Sequence, residues 1–260
     1  MHALVFAAGR GSRLRPYTDE TPKPLLEVAG EPMLVRLLRS IADAGIEEIT
    51  VVVGYGREAI VDRVGDSLTG TPITYAVQHE RKGLAHALYT ALEDGYGVSL
   101  PRLDVRNPSL PPLPESVPEN VLTVNGDNVF EDCDLSRFVE RHCETDVDGT
   151  LLLDRVSRNE AETTARCVLD DDGTIRSIEA STDGAQPGYV AGGVQTHDTA
   201  SLLEACLSLE RADSGEYELA EALESLTSRN RYVGIELEGW HLNVNTPADL
   251  ERARRRLDSV

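Results

Sequence analysis

The amino-acid sequence predicts an α/β fold of three layers, in which helices cover both faces of a mixed, mainly parallel central sheet. The main observation is that short apolar runs alternate with amphipathic segments along the chain. Short apolar runs indicate buried strands, and apolar residues spaced three and four apart indicate helices. Strands that alternate with helices form parallel sheets through right-handed crossovers. The second observation is the composition of the 260 residues, 40% hydrophobic and 27% charged, which is that of a folded globular chain.

The N-terminal half is expected to form three parallel strands with helices between them. Pro32 and Gly45 bracket the first helix, because proline suits the start of a helix and glycine follows its end. The glycines of Gly54-Tyr55-Gly56 turn the second strand into the second helix. The expected strands are residues 3–8, 49–53 and 73–77, and the expected helices are residues 33–44, 57–64 and 85–92.

The C-terminal half is expected to complete a single domain that spans residues 1–260. Residues 170–173 form a hairpin-like turn between two short strands. No internal repeat or change of composition divides the chain, so one domain is favoured over two. The expected strands are residues 121–124, 150–156, 167–169, 175–178, 190–196 and 233–237, and the expected helices are residues 135–143, 201–209, 219–226 and 248–257.

Residues 95–120 interrupt this pattern with a polar, proline-rich stretch. Long segments without regular structure are usually surface loops. We expect an irregular surface insertion here. A tolerated insertion is favoured over a lid or a partner-binding segment, and these alternatives stay open.

The chain is strongly acidic, with a formal net charge of −20 and an isoelectric point of about 4.6. Charge of this size argues against binding to nucleic acid or to an anionic membrane surface. Only two of the 25 basic residues are lysines, Lys23 and Lys82. An acidic chain almost free of lysine is typical of proteins from halophiles, so we expect a halophilic source.

The sequence pattern predicts neither an export signal nor a membrane span. No apolar run approaches the roughly 18–20 residues that a span needs, and no basic region precedes the first apolar run. We therefore expect a cytoplasmic protein, and whether it forms a homo-oligomer stays open. The four cysteines form no C-x-x-C pair and the six histidines no H-x-x-x-H pair. Reduced, mostly buried thiols are expected, and neither a zinc site nor a histidine metal site.

A glycine-rich loop with many cations follows the first expected strand. Gly9 and Gly11 leave backbone N–H groups free to approach an oxyanion. Arg10, Arg13 and Lys23 then place cations near the same point, and such groups bind phosphate. The spacing fits neither the dinucleotide fingerprint nor the P-loop, because a third glycine and a Gly-Lys-Ser/Thr ending are both missing.

Two further motifs follow later strands. Gln78 follows the third expected strand, and Gly83 precedes a helix. An amide offers a donor and an acceptor together, which suits the edge of a pyrimidine base such as uracil or thymine. Asn125-Gly126-Asp127-Asn128 follows the strand at 121–124 and places a carboxylate at the end of that strand. Ligands of such sheets bind beyond the carboxyl ends of the strands.

Residues 7–26, AAGRGSRLRPYTDETPKPLL, resemble the signature of the sugar-1-phosphate nucleotidyltransferases, the pyrophosphorylases that make dTDP-glucose and UDP-glucose. The resemblance extends over nearly the whole chain apart from the proline-rich stretch. It implies a GT-A/Rossmann-like nucleotidyltransferase fold. It also implies a reaction between a nucleoside triphosphate and a sugar 1-phosphate. Among the nucleotides, UTP or dTTP is favoured because of Gln78. The products would be a nucleotide sugar and pyrophosphate, with Mg²⁺ as cofactor.

The resemblance also implies roles for individual residues. Arg13 would stabilise the triphosphate and the departing pyrophosphate, and Lys23 would bind the phosphate of the sugar phosphate. Asp127 would be the magnesium carboxylate. The residues implied to bind the nucleotide are Ala8, Gly9, Gly11, Gln78 and Gly83, and those implied to bind the sugar are Gly126, Glu179 and Gly193.

The second magnesium ligand is left open between Asn243 and Asn245. The pyrophosphorylases usually carry Asp where this chain has Asn243, whereas Asn245 matches the N-acetylglucosamine-1-phosphate uridylyltransferases and the molybdopterin nucleotidyltransferases. An amide oxygen can ligate magnesium but adds no charge.

The sugar half of the site departs from the family pattern. A Glu-Lys-Pro motif becomes Glu179-Ala180-Ser181, and a Tyr-Gly dipeptide becomes Thr164-Ala165. Two hypotheses about the acceptor therefore stay open: a sugar phosphate other than glucose 1-phosphate, or a non-sugar acceptor such as a molybdopterin cofactor. A third hypothesis also stays open, namely that the chain is a non-catalytic regulatory protein that binds a nucleotide or a sugar phosphate.

Overall fold

The computed structural model describes residues 1–103, 109–156, 165–179, 188–213 and 215–258. Its strands are β1 (His2–Phe6), β2 (Glu27–Val28), β3 (Glu31–Pro32), β4 (Ile49–Val53), β5 (Ser67–Leu68), β6 (Thr71–Val77), β7 (Asn120–Asn125), β8 (Asn128–Glu131), β9 (Gly149–Val156), β10 (Arg166–Leu169), β11 (Ile175–Glu179), β12 (Gly188–Asp198), β13 (Tyr232–Ile235) and β14 (Trp240–Asn243). Its α-helices are α1 (Met33–Asp43), α2 (Arg57–Val64), α3 (Leu84–Tyr96), α4 (Ser136–His142), α5 (Thr199–Leu207), α6 (Leu219–Thr227) and α7 (Pro247–Leu257).

The central sheet has the strand order β11-β10-β12-β7-β1-β4-β6-β5, and β9 joins β12 to β13. Strands β6, β4, β1 and β7 are parallel neighbours, whereas β12 is antiparallel to β7 and to β9. The sheet is therefore mixed and mainly parallel in its centre, as expected from the sequence. Because the four central strands are parallel, their carboxyl ends meet at one edge of the sheet.

Strand β1 faces two hydrophobic cores, one on each side of the sheet. Leu4 and Phe6 pack into the core that also contains α3, α5 and α6. Ala3 and Val5 point the other way, into the core formed with α1, α2 and α4. Alternate side chains of a strand lie on opposite faces, so the unbroken apolar run of β1 is what a strand covered on both faces requires. The expected three layers are confirmed.

A small two-stranded antiparallel sheet, which the sequence pattern did not predict, lies beside the carboxyl end of β7. Strand β14 pairs with β8 antiparallel, with Asn243 opposite Asn128. A third apolar cluster beneath it includes Leu14 of the glycine-rich loop and Leu250 of α7. The two-stranded sheet therefore brings the C-terminal segment against the N-terminal loop.

The proline-rich stretch is only partly a surface insertion. In the part of it that the structure describes, Val98, Leu100, Leu103 and Val117 are buried in the core beside α3. These side chains anchor the stretch to the fold, so its described ends contribute to the core. None of the helices in the described residues is long and apolar enough to span a bilayer.

A buried histidine of β12 predicts how stability depends on pH. His197 is completely buried, and desolvation lowers its pKa from the ordinary 6.5 to about 3. The unfolded chain therefore takes up a proton as the pH falls from about 6.5 toward 3, while the folded chain does not. The free energy of unfolding should fall over that interval.

We expect His197→Gln to flatten this dependence by up to about 1.4 kcal/mol per pH unit. Urea unfolding at a series of pH values between 7 and 4 measures the slope. His79→Gln is the matched control, because His79 is exposed. Equal slopes in the wild type and in His197→Gln would contradict the assignment.

Candidate active site

A cavity of about 310 Å³ opens at the sheet edge where the parallel strands end. It is bordered by the residues that follow β1, β6 and β7, as expected for a ligand site in an open α/β sheet. Seven of the predicted site residues line it: Ala8, Gly9, Lys23, Gln78, Gly83, Gly126 and Asp127. Three separate sequence motifs thus converge on one cavity.

A polar cluster at one side of the cavity joins the two ends of the chain. The ammonium group of Lys23 donates to Oδ2 of Asp127 at 2.7 Å and to Oδ1 of Asn245 at 3.1 Å. Arg13 donates from its guanidinium to the same Asn245 oxygen at 3.0 Å. The Lys23 and Asp127 side chains are only 13% and 22% exposed, so this ion pair is screened less than a surface pair. The cluster unites both predicted catalytic cations with two predicted metal ligands.

Helix α7 fixes the backbone of Asn245. Thr246 is the N-cap, its hydroxyl accepting from the N–H of Asp249, and Pro247 follows in the first turn. The Asp249 carboxylate in turn accepts from the N–H groups of Asn245 and Thr246, at 3.1 and 2.7 Å. This capping box sets the direction in which the chain leaves β14. The sequence Asn-Thr-Pro therefore holds an amide in place beside Lys23.

The oxygens around Asp127 are a suitable donor set for Mg²⁺. Oδ1 of Asp127 and Oδ1 of Asn243 are buried, and neither has a hydrogen-bond partner among the described residues. Buried acceptors without a partner are costly, and a cation bound between them would satisfy both. Magnesium prefers oxygen ligands and is usually held by one or two protein side chains. Asp127 with Asn243 or Asn245 therefore fits a magnesium ion, and the choice between the two amides stays open.

The other side of the cavity is organised around Gln78. Its amide nitrogen donates to the carbonyl oxygen of Gly83 at 3.3 Å and to Nδ1 of His86 at 3.0 Å. Burial, followed by the charge of Lys82, lowers the pKa of His86, which favours the neutral ring that can accept this bond. The orientation of the Gln78 side chain is thus fixed by the start of α3.

Six of the predicted residues lie outside the cavity lining. Arg13, Asn243 and Asn245 lie beside it, as described above, and the other three are Gly11, Gly193 and Glu179. Gly11 closes its own loop, because its carbonyl oxygen accepts from Oγ1 of Thr18 at 2.8 Å. Gly193 lies on β12 against the side chain of Asn125, which does line the cavity. Glu179 ends β11 and forms an ion pair with Arg166 at 3.5 Å. Ala180, Ser181 and Thr164, where the sequence departs from the family pattern, lie outside the described residues.

Some residues at the site were not predicted from sequence. Arg81 and Glu216 line the cavity, and Arg81 also borders an adjoining groove of about 600 Å³ with Arg10 and Arg57. Within the described part of the chain, none of these three arginines has a carboxylate within ion-pair distance. They add positive potential next to the cavity in an otherwise acidic protein, which favours an anionic ligand.

The chain is similar to proteins that transfer nucleotides to sugar phosphates. A family model described as nucleotidyl transferase matches residues 2–101. The UTP–glucose-1-phosphate uridylyltransferase AglF of Haloferax volcanii is 34% identical over 258 residues, which cover 99% of this chain and 96% of that protein. The bifunctional protein GlmU of Methanocaldococcus jannaschii is 26% identical over 99% of this chain, which spans only 54% of its length.

The fold is similar to that of a solved structure, a UDP-glucose pyrophosphorylase complexed with UDP-glucose. The two superpose with a TM-score of 0.79 over 99% of this chain and 98% of the other, at 18% sequence identity. The likeness at this identity concerns the fold, and it agrees with the mixed sheet described above.

Gly83 makes a testable contribution to the cavity. Its φ of +93° is strained for other residues, and an added Cβ would lie 2.4 Å from the carbonyl oxygen of Tyr217. We expect Gly83→Ala to lower the free energy of unfolding by about 1–3 kcal/mol. It should also displace the segment at Tyr217 and weaken nucleotide binding. Denaturant unfolding and calorimetric titration with UTP measure the two effects.

Gly97→Ala is the matched control for this substitution. Gly97 also has a positive φ, +67°, but an added Cβ meets nothing within 4 Å. It should therefore share part of the backbone strain and bind UTP normally. Equal losses of stability and binding in the two variants would contradict a special role for the contact between Gly83 and Tyr217.

Proposed function

The chain belongs to the nucleotidyl transferase family, and we propose that it transfers the nucleotide of UTP to a hexose 1-phosphate, releasing pyrophosphate. The observation that carries the proposal is the meeting of Arg13, Lys23, Asp127 and Asn245 beside the cavity. Two cations and a metal-binding carboxylate at one point are what a reaction between two phosphate-bearing substrates requires.

The reaction is an in-line displacement at the α-phosphorus of the nucleotide. A phosphate oxygen of the sugar phosphate forms the new bond to phosphorus, and the bond to the bridging oxygen of pyrophosphate breaks. Holding two polyanions in line is the main task of the site, because their charges repel each other. Arg13 would stabilise the triphosphate and the leaving pyrophosphate, and Lys23 would bind the phosphate of the incoming sugar phosphate.

Nucleotidyltransferases of this family generally use a divalent metal. Asp127 would hold it together with Asn243 or Asn245, whose oxygens are described above. Bound Mg²⁺ would neutralise negative charge on the phosphate oxygens. The Lys23 ammonium now contacts Asp127 and Asn245, so it lies next to the proposed metal position and within reach of an adjacent phosphate.

Two observations support UTP and a hexose 1-phosphate as the substrates. Gln78 offers an amide at the cavity edge, which suits a pyrimidine base. The printed name of the Haloferax relative gives UTP and glucose 1-phosphate as its own substrates. A non-catalytic binding protein and a transferase for a non-sugar acceptor are the alternatives that the following experiment separates.

Pyrophosphate release with a panel of nucleoside triphosphates and sugar 1-phosphates tests the proposal. The assay is run in high salt with Mg²⁺, and the product is identified by mass spectrometry. We expect turnover with UTP and at least one hexose 1-phosphate. Binding without turnover would support a regulatory protein. Product formation only with an acceptor from a metabolite extract would support a non-sugar acceptor.

Asp127→Asn tests the proposed metal ligand. Loss of the carboxylate charge should raise the Mg²⁺ concentration needed for half-maximal activity by at least about tenfold. A magnesium titration measures this, with Asp62→Asn as the control because Asp62 is an exposed residue of α2. The same titration of Asn243→Ala and Asn245→Ala identifies the second ligand. An unchanged titration in Asp127→Asn would mean that the metal is held elsewhere.

A further inference from the structure

A row of three hydrogen-bonded side chains runs beneath the cavity wall and includes none of the residues assigned to the reaction so far. His241 of β14 is hydrogen-bonded through Nδ1 to Oδ1 of Asp154 at 2.9 Å and through Nε2 to Oδ1 of Asn128 at 2.6 Å. Asp154 lies on β9 and Asn128 on β8. The row therefore connects three strands that are distant in sequence.

The middle of this row is held rigidly. Asn128 is completely buried, and the His241 side chain is only 9% exposed. The imidazole stacks on the ring of Phe130, with centroids 4.9 Å apart and planes 19° from parallel. Nδ1 faces a carboxylate oxygen and Nε2 faces an amide oxygen, and both oxygens are hydrogen-bond acceptors. Polar groups buried in this way are held in one geometry, because losing a partner is costly.

Asn128 carries the row to the cavity wall. Its amide nitrogen donates to the carbonyl oxygens of Asn125, at 2.7 Å, and Gly193, at 3.4 Å. Gly193 allows this approach because an added Cβ would lie 2.6 Å from that nitrogen and 2.8 Å from the side-chain nitrogen of Asn125. The first contact closes the turn that carries Asp127, and Asn125 lines the cavity. The position of that turn therefore depends on Asn128.

We propose that Asp154 and His241 are positioning residues for the sugar phosphate. Acting through Asn128, they hold the turn from Asn125 to Asp127 against Gly193 and so shape the wall that receives the acceptor. This inference rests on the proposed function and extends it to two residues that do not line the cavity.

The row is expected to act on the acceptor and not on the nucleotide. The residues proposed to bind the nucleotide follow β1 and β6 or begin α3, and none of the contacts of Asp154, His241 or Asn128 given above reaches them. The contacts of Asn128 instead reach Gly193 and the turn that carries Gly126, the two residues proposed for the sugar. Because that turn also carries Asp127, binding is compared at saturating Mg²⁺, where a weaker metal site does not lower nucleotide binding. Substitutions in the row should therefore weaken binding of the sugar phosphate more than binding of the nucleotide.

Variants of Asp154 and His241 test this separation. Calorimetry measures binding of α,β-methylene-UTP, which cannot be cleaved at the reacting position, and then binding of glucose 1-phosphate to the nucleotide complex. We expect Asp154→Ala and His241→Gln to weaken glucose 1-phosphate binding by about tenfold. Nucleotide binding should stay within about twofold, and the KM values in turnover should split in the same way.

Two further variants separate positioning from general stability. Asp154→Asn keeps an oxygen that can accept a hydrogen bond from the imidazole. This variant should therefore retain most of the glucose 1-phosphate binding, even if Asp154→Ala or His241→Gln folds poorly. His197→Gln is the matched control: this buried histidine of β12 is hydrogen-bonded to Tyr232 at 2.9 Å and to Gln195 at 3.1 Å. It should lower stability and leave both binding constants unchanged.

The possible results distinguish this inference from the proposed function. The positioning role is overturned if the variants weaken the binding of both ligands equally, or if every folded variant binds glucose 1-phosphate as the wild type does. This holds even if the wild type catalyses the reaction. The wild type could also bind both ligands without turnover. If the variants then weaken only the binding of glucose 1-phosphate, the positioning role is supported and the proposed catalytic function is overturned. If the wild type binds the nucleotide but not glucose 1-phosphate, the proposed role of Asp154 and His241 in binding this sugar phosphate is overturned.

Discussion

The hydrogen bonds of one ammonium group hold the site together. Lys23 comes from the N-terminal motif, Asp127 from the turn after β7, and Asn245 from the segment before α7. In a chain with 45 acidic residues, an unconstrained lysine has many possible partners. Here the partner is fixed, because the apolar cluster of Leu14, Leu250 and their neighbours packs the N-terminal loop against α7. The packing thus places the charges, and the charges define the site.

The parallel centre of the sheet explains why these segments meet. Strand β1 is covered on both faces up to Phe6, and the glycine-rich loop begins at the sheet edge. Strands β6 and β7 end at the same edge and contribute Gln78 and Asp127. Buried strands therefore carry short loops, and the strands position the loop residues that would bind a ligand. A halophilic source agrees with the acidic surface and with the Haloferax relative.

Local patterns in the sequence predicted most of the fold. The strand at Ile49–Val53 and the helix at Arg57–Val64 have the bounds expected from apolar runs and flanking glycines. The two-stranded sheet of β8 and β14 was missed, because each strand has four residues and its partner lies more than 100 residues away. The motifs likewise predicted the residues that meet at the cavity. The bridging position of Asn245 and the row from Asp154 to Asn128 depend on long-range pairing, which no local pattern encodes.

The most direct test is a crystal structure of the protein with Mg²⁺ and UTP. We expect the uracil at Gln78 and Gly83, the metal on Asp127 and an asparagine oxygen, and the triphosphate beside Arg13. The ammonium group of Lys23 should have left Asp127 for a phosphate oxygen or lie within reach of one. A nucleotide bound elsewhere, with the pair between Lys23 and Asp127 intact and no metal on Asp127, would contradict the proposed site.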